Sequence, residues 1–326
     1  MPSNHLFSIA PMLDWTDRHE RYFLRLLTRR SFLYTEMITT GALLHGDVDR
    51  FLSFNDAEHP VSLQLGGSHP GDLAASAKIG QQYGYDEINL NVGCPSERVK
   101  SGSFGACLMA EPQLVADCVA AMKSSVDIPV TVKHRIGIDD RDSWDELCEF
   151  VEVVSNAGCQ LFIVHARKAW LQGLSPRQNR EIPPLKYETV YKLKKEYPHL
   201  EFVINGGIKT IAEAKQHLNF VDGVMMGREA YHNPYVLAQV DSELYGEAGN
   251  VLSRNQVFEK LIPYIEAELL KGTKLHAITR HIMGLFLGVS GAKAWRRHLS
   301  ENANKKGAGL QVVLDAASNV GITHIN

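Results

Sequence analysis

Residues 88–96 read INLNVGCPS, and this stretch sets the problem. Ile88, Leu90 and Val92 alternate with Asn89, Asn91 and Gly93, a period of two that predicts a strand. The strand breaks at Gly93, and Cys94 stands directly before Pro95. Free cysteine is among the most buried residue types, so a structural thiol beside a turn is one reading. A thiol presented for chemistry, three residues after Asn91, is the other. The surrounding chain has to decide between them.

Working outward, short apolar runs at 7–11, 33–36, 61–66, 87–92, 130–135, 161–165, 202–205 and 223–226 predict eight strands. Amphipathic stretches between them, such as 71–83, 112–124, 144–157 and 211–217, predict helices. The crossover around 40–55 has the weakest pattern. Eight βα units predict an α/β TIM (β/α)8 barrel rather than an open sheet. Beyond about residue 240 the texture changes. SELYGEAGN, residues 242–250, reads as a linker, and helices are expected at 255–270, 275–287, 292–302 and 310–319. The expected organisation is a barrel domain over 1–240 and a small all-helical domain over 241–326.

The bulk numbers agree with a folded, water-soluble chain. It has 326 residues and 44% hydrophobic content. No apolar run reaches the roughly 18 residues of a membrane span, and the N-terminus lacks the pattern of a secretory signal. The five cysteines include no C-x-x-C pair, so a metal or iron–sulfur site is not expected, and a reducing cytoplasm is. Cys118, Cys148 and Cys159 fall in or beside helical patterns and are expected in the core. The net charge of −3 hides an asymmetry. Residues 271–306 carry Lys271, Lys274, Arg280, Lys293, Arg296, Arg297, Lys305 and Lys306 against Glu301 alone. Such an excess suits an acidic partner.

In a barrel of this kind the chemistry gathers where strands end. Here those ends bring Pro11 and Met12, Glu36, Gln64, Asn91 with Cys94, Lys133, His165, Asn205-Gly206-Gly207 and Gly227-Arg228 to one rim. Glycines after the seventh and eighth strands let backbone N–H groups approach a phosphate, and Arg228 can add a charge. Lys133 at the barrel mouth needs an anion or an electron-rich ring. Flavin mononucleotide fits both, with Gln64 facing its pyrimidine edge. No G-x-G-x-x-G follows a strand, so a Rossmann nicotinamide site is not indicated. Cys94 then has a use as general acid to a carbon that has received hydride. Its use as a nucleophile lacks an adjacent histidine in sequence. The long segment 165–186 carries Arg167, Lys168, Arg177, Arg180 and Lys186 with one acid, Glu181. With the basic tail it is expected to track phosphates.

The motifs APMLDWTD, EMITTGAL, LQLGG, NLNVGCPS, TVKHRIG, HARKAWLQGLSP followed by QNREIPPL, and NGGI with MGR together resemble the tRNA-dihydrouridine synthases. The segment after His165 resembles their A subgroup, which acts on D-loop positions 20 and 20a. The resemblance implies an FMN-bearing barrel with a helical tRNA-binding tail. It implies reduction of the uridine C5–C6 double bond with NADPH, NADH being the alternative reductant. By this resemblance Cys94 matches the catalytic acid toward C5. Pro11, Met12, Leu13, Gln64, Lys133, His165, Asn205, Gly206, Gly207, Gly227 and Arg228 match flavin positions. Asn91 matches a substrate-uridine contact, and Arg177 and Arg180 match subgroup tRNA contacts. Lys293, Arg296 and Arg297 lie in the corresponding tail patch. A monomer without metal or membrane attachment is expected. Two other readings compete: a flavin barrel reducing a small free pyrimidine or enone, and a non-catalytic RNA-binding barrel. The first needs no basic insertion or tail; the second leaves Cys94 and Lys133 unused.

Overall fold

The computed structural model describes residues 5–96, 102, 104–249 and 251–322. Its sheet has nine strands, all pairing in parallel: β1 (Phe7–Ile9), β2 (Leu33–Tyr34), β3 (Ile38–Thr39), β4 (Val61–Gly66), β5 (Glu87–Val92), β6 (Val130–Arg135), β7 (Leu161–His165), β8 (Glu201–Asn205) and β9 (Gly223–Met226). The order is β1-β9-β8-β7-β6-β5-β4-β2. The ring closes where Phe32 N–H donates to Phe7 O and Ile9 N–H donates to Phe32 O, both at 2.9 Å. This is the expected (β/α)8 barrel, followed by helices. The expected second strand is in two pieces. Thr35 Oγ donates to Glu36 O and accepts Gln64 N–H, so a side chain occupies the ladder between β2 and β3.

The alternation in β5 has a specific meaning in the barrel. Leu63 of β4 and Ile88 of β5 pack on Gly80 of the helix Pro70–Gln82, where a Cβ would stand 2.6 and 2.8 Å from them. The apolar set therefore faces the helical layer, and Asn89 and Asn91 face the barrel interior. Ala10, Phe32, Tyr34, Leu161, Ile163, Val203 and Met225 form an apolar cluster, against which Met12 packs. Helix starts follow local chemistry: capping boxes form at Ser143 with Glu146 and at Thr210 with Glu213. The weak 40–55 crossover contains two short helices, Thr40–His45 and Val48–Leu52.

The chain divides into two compact units, Met1–Leu13 with Phe32–Gly227, and Asp14–Ser31 with Arg228–Asn326. In the second unit, helix Arg18–Leu27 packs on helix Arg254–Leu270, with Tyr22 stacked on Tyr264 and Arg18 bonded to Glu268 at 2.8 Å. Trp295 of helix Ala292–Asn302 is fully buried against Phe258 and Phe286. One tail expectation needs correcting. The helix expected over 275–287 ends at Thr279, and a single 3-10 turn, Ile282–Gly284, follows. The chain turns because buried His281 bonds Asp17 at 2.9 Å. Gly284 also presses on His232, leaving no room for a side chain. The short helix Val240–Glu243 runs into the start of the expected linker, and Glu247 within it pairs with Arg29 and Arg30.

Candidate active site

The turn bearing Cys94 is built from a run of side-chain amides. Asn89 of β5 donates to Thr131 Oγ of β6 at 2.8 Å and accepts from Gln64 Nε2 of β4 at 2.7 Å. Gln64 Oε1 accepts from Asn91 Nδ2 at 2.8 Å. Asn91 Oδ1 in turn accepts the backbone N–H groups of Gly93 at 3.2 Å and Cys94 at 3.0 Å. Gln64, Asn89, Asn91 and Thr131 are all buried. Two lone pairs on one amide oxygen thus fix the backbone that carries the thiol. Cys94 is half-buried, and its thiol donates to Ser96 Oγ at 3.6 Å. The other thiols differ. Burial pushes Cys118 and Cys159 up to about 12, which keeps them protonated. Cys148, expected in the core, is only half-buried because its helix turns it toward the surface.

Lys133, in β6, lies opposite Asn91 in register. Its Nζ donates to Asn205 Oδ1 at 3.1 Å, and Asn205 Nδ2 donates to Met225 O at 2.8 Å. Burial, with Arg135 nearby, lowers Lys133 to about 7. Among the described residues no carboxylate pairs with it. Beside it, burial and surrounding cations hold His165 far below its usual range, so its imidazole is neutral at physiological pH. Gly206 and Gly207 after β8 have φ of +123° and +76°. A Cβ on Gly206 would stand 2.8 Å from His165 and 2.9 Å from Leu185. Tyr187 secures the same turn by donating to Gly206 O at 2.7 Å. Near Gly227 the nearest atom to an added Cβ is 3.9 Å away, so that turn is open. Pro11 is half-buried, Leu13 is exposed, and Arg228 begins the short helix Arg228–His232.

These residues suit a cofactor with an anionic phosphate and an electron-rich ring. A cation with only an amide partner calls for negative charge, and the two glycines after β8 hold positive-φ backbone that other residues rarely adopt. The barrel thus brings Gln64, Asn91, Cys94, Lys133, His165, Asn205, Gly206 and Gly207 into one hydrogen-bonded and packed rim.

The basic segment after His165 is more neutral than its composition suggests. Lys168 and Lys186 both reach Asp142, at 3.2 and 3.5 Å, an acid outside the segment. Arg167 donates to the carbonyls of Pro183 and Glu181. Arg177 and Arg180 are exposed; Arg177 has a weak 3.6 Å pairing with Glu181. In the tail, Lys271 pairs with Glu268 and Arg280 with Asp17. On helix Ala292–Asn302, Lys293 and Arg297 are exposed and Arg296 is half-buried, opposite the buried Ala292, Trp295 and Leu299. No ion pair involves Lys293, Arg296 or Arg297 among the described residues.

Two buried residues of this region escaped the sequence reading. Arg135, two places after Lys133, is 3% exposed and donates to Gly93 O, Lys168 O and Asn179 O. Asn179 is fully buried and bonds Trp170 in both directions. The alternation Lys133-His134-Arg135 was a usable signal, since it places lysine and arginine on the same face of one strand. Asn179 had none, because its partners are backbone groups.

Comparison with known proteins fits this geometry. The dihydrouridine synthase (Dus) family model matches residues 8–320. A tRNA-dihydrouridine(20/20a) synthase of Vibrio parahaemolyticus is 62% identical over 314 residues, covering 96% of each chain. One from Shewanella oneidensis is 63% identical over 307 residues, covering 94% of this chain and 91% of the relative. One from Escherichia coli K12 is 61% identical over 308 residues, covering 94% and 89%. Among solved structures, a 2-naphthoyl-CoA reductase complex aligns with a TM-score of 0.56 at 11% identity, covering 72% of this chain and 49% of that one. That likeness shows the barrel fold alone. By family and by near relatives over almost its whole length, the chain belongs to the dihydrouridine synthases and is an oxidoreductase of that type.

Proposed function

We propose that this chain reduces uridines at D-loop positions 20 and 20a of tRNA to 5,6-dihydrouridine. The single observation that carries the mechanism is the amide run ending on the backbone N–H of Cys94. It fixes a half-buried thiol at the strand end next to the half-buried cation Lys133. Lys133, His165, Gln64 and Asn205 hold the ring of FMN. Gly206, Gly207, Gly227 and Arg228 hold its phosphate, and Pro11, Met12 and Leu13 border the ring. FMN, when bound and reduced by NADPH or NADH, supplies the hydride that uridine C6 receives. Lys133 offers the positive charge that an electron-rich ring needs. Cys94 delivers its thiol proton to C5 and becomes a thiolate, which water reprotonates between turnovers. Asn91 has one amide hydrogen beyond its bond to Gln64 and presents it to the uracil. The neutral imidazole of His165 donates one hydrogen bond without adding charge.

A uridine inside a folded tRNA must leave its stack to reach a barrel mouth, at a cost of a few kcal/mol. Arg177 and Arg180, with Lys293, Arg296 and Arg297, contact phosphates and offset that cost. The test is incubation of purified, FMN-loaded protein with NADPH and unmodified tRNA, followed by mass mapping. Reduction of free uracil at a comparable kcat/KM, without tRNA binding, would favour the small-molecule reductase instead.

A further inference from the structure

Arg135 has no place in the flavin or tRNA sets above, yet it joins them physically. Its Nε donates to Gly93 O at 2.8 Å, and its Nη1 donates to Lys168 O at 3.0 Å and Asn179 O at 3.1 Å. It is 3% exposed, and no carboxylate pairs with it among the described residues. Burial brings it down to about 10, which leaves it charged at neutral pH. A buried cation is costly unless hydrogen-bonded, and all three acceptors here are backbone carbonyls. One carbonyl belongs to the turn before Cys94. The other two belong to the segment after β7, on either side of Arg177. The buried Asn179 holds that segment together through Trp170 and Leu174 O. The guanidinium stays satisfied only while both segments keep their places.

We propose that Arg135 is a positioning residue that couples the placement of the Cys94 thiol to the order of the Arg177–Arg180 turn. Anchoring an RNA on that turn then also steadies the acid that serves it. The clamp deepens the function proposed above and rests on it for the identity of the RNA. The coupling itself is readable without any substrate. Arginine is needed because its planar fork reaches carbonyls in different directions, which a single ammonium does not.

The test is a double-mutant cycle on full-length, FMN-loaded protein. The readout is the rate of Cys94 alkylation by iodoacetamide, followed by peptide mass across a pH series. Asn179→Ala loosens the distant segment and should change that rate by about threefold or more. In an Arg135→Gln background the same substitution should have little further effect. Arg135→Lys should behave like Arg135→Gln, and it carries the cycle if the glutamine variant does not fold. With tRNA, both Arg135 variants should lower kcat and raise KM together, each by about tenfold. An Asn179→Ala rate equal to wild type would overturn the coupling, as would an equally large effect with Arg135 replaced. Failure of the chain to make dihydrouridine would leave the alkylation cycle intact and count against the proposed substrate instead.

Discussion

Lys133 shows how one residue carries opposing demands. Its side chain is half-buried near Arg135, with an amide oxygen as its hydrogen-bond partner. Burial lowers it to about 7 from an ordinary 10.5, so the folded chain binds its proton less tightly than the unfolded chain. The resulting penalty to folding is full below about pH 7, shrinks as pH rises toward 10.5 and is gone above it. Lys133→Met should therefore raise the Tm of FMN-free protein at pH 6 by about 3 °C or more, with the gain fading toward pH 10. The same variant should retain less FMN. A Tm difference independent of pH, with full FMN content, would mean the lysine does neither job. Cys94 behaves differently, since its partners are a serine hydroxyl and a shaped backbone. Cys94→Ala should keep bound FMN and NADPH oxidation while dihydrouridine formation falls about 10²–10⁴-fold. Single-turnover yield on tRNA reads this directly.

At the scale of elements, the strands and their order were legible because a parallel barrel imposes regular alternation of strand and helix. The eight expected strands coincide closely with those observed, and at their ends Gln64 bonds Asn91, Asn91 lies beside Lys133, Lys133 bonds Asn205, and Asn205 lies beside His165. What stayed hidden has a common physical cause. The split between β2 and β3 depends on one threonine hydroxyl, and the break after Thr279 on a buried His281–Asp17 bond. The quenching of Lys168 and Lys186 comes from Asp142, which composition of their own segment does not reveal. Long-range pairing is invisible to local pattern. The glycine turn after β8 is closely packed by side chains. Gly206→Ala would force a side chain to φ +123° against His165 and Leu185. A strain of about 1–3 kcal/mol at that turn should lower FMN affinity about tenfold or more while the barrel stays folded. Flavin absorbance and far-UV circular dichroism on the same sample separate the two effects.

Over the whole molecule, each compact unit carries its own exposed basic residues, Arg177 and Arg180 in one and Lys293 and Arg297 in the other. Removing one phosphate-binding side chain should reduce the salt slope of tRNA binding by about one. Arg177→Ala with Arg180→Ala should lower it by about two and weaken binding most at low salt. Adding Lys293→Ala and Arg297→Ala should lower it further, with NADPH-driven flavin reduction preserved throughout. Unchanged slopes in both sets would place the RNA elsewhere. In this mechanism the Cys94 thiol, its backbone N–H held by the Gln64–Asn89–Asn91 amide run, completes uridine reduction within tRNA. Mass mapping of one tRNA after reaction with wild-type and Cys94→Ala protein tests it most directly. Wild type should give dihydrouridine at positions 20 and 20a and the variant almost none, at equal FMN content. Equal product from both proteins would contradict it.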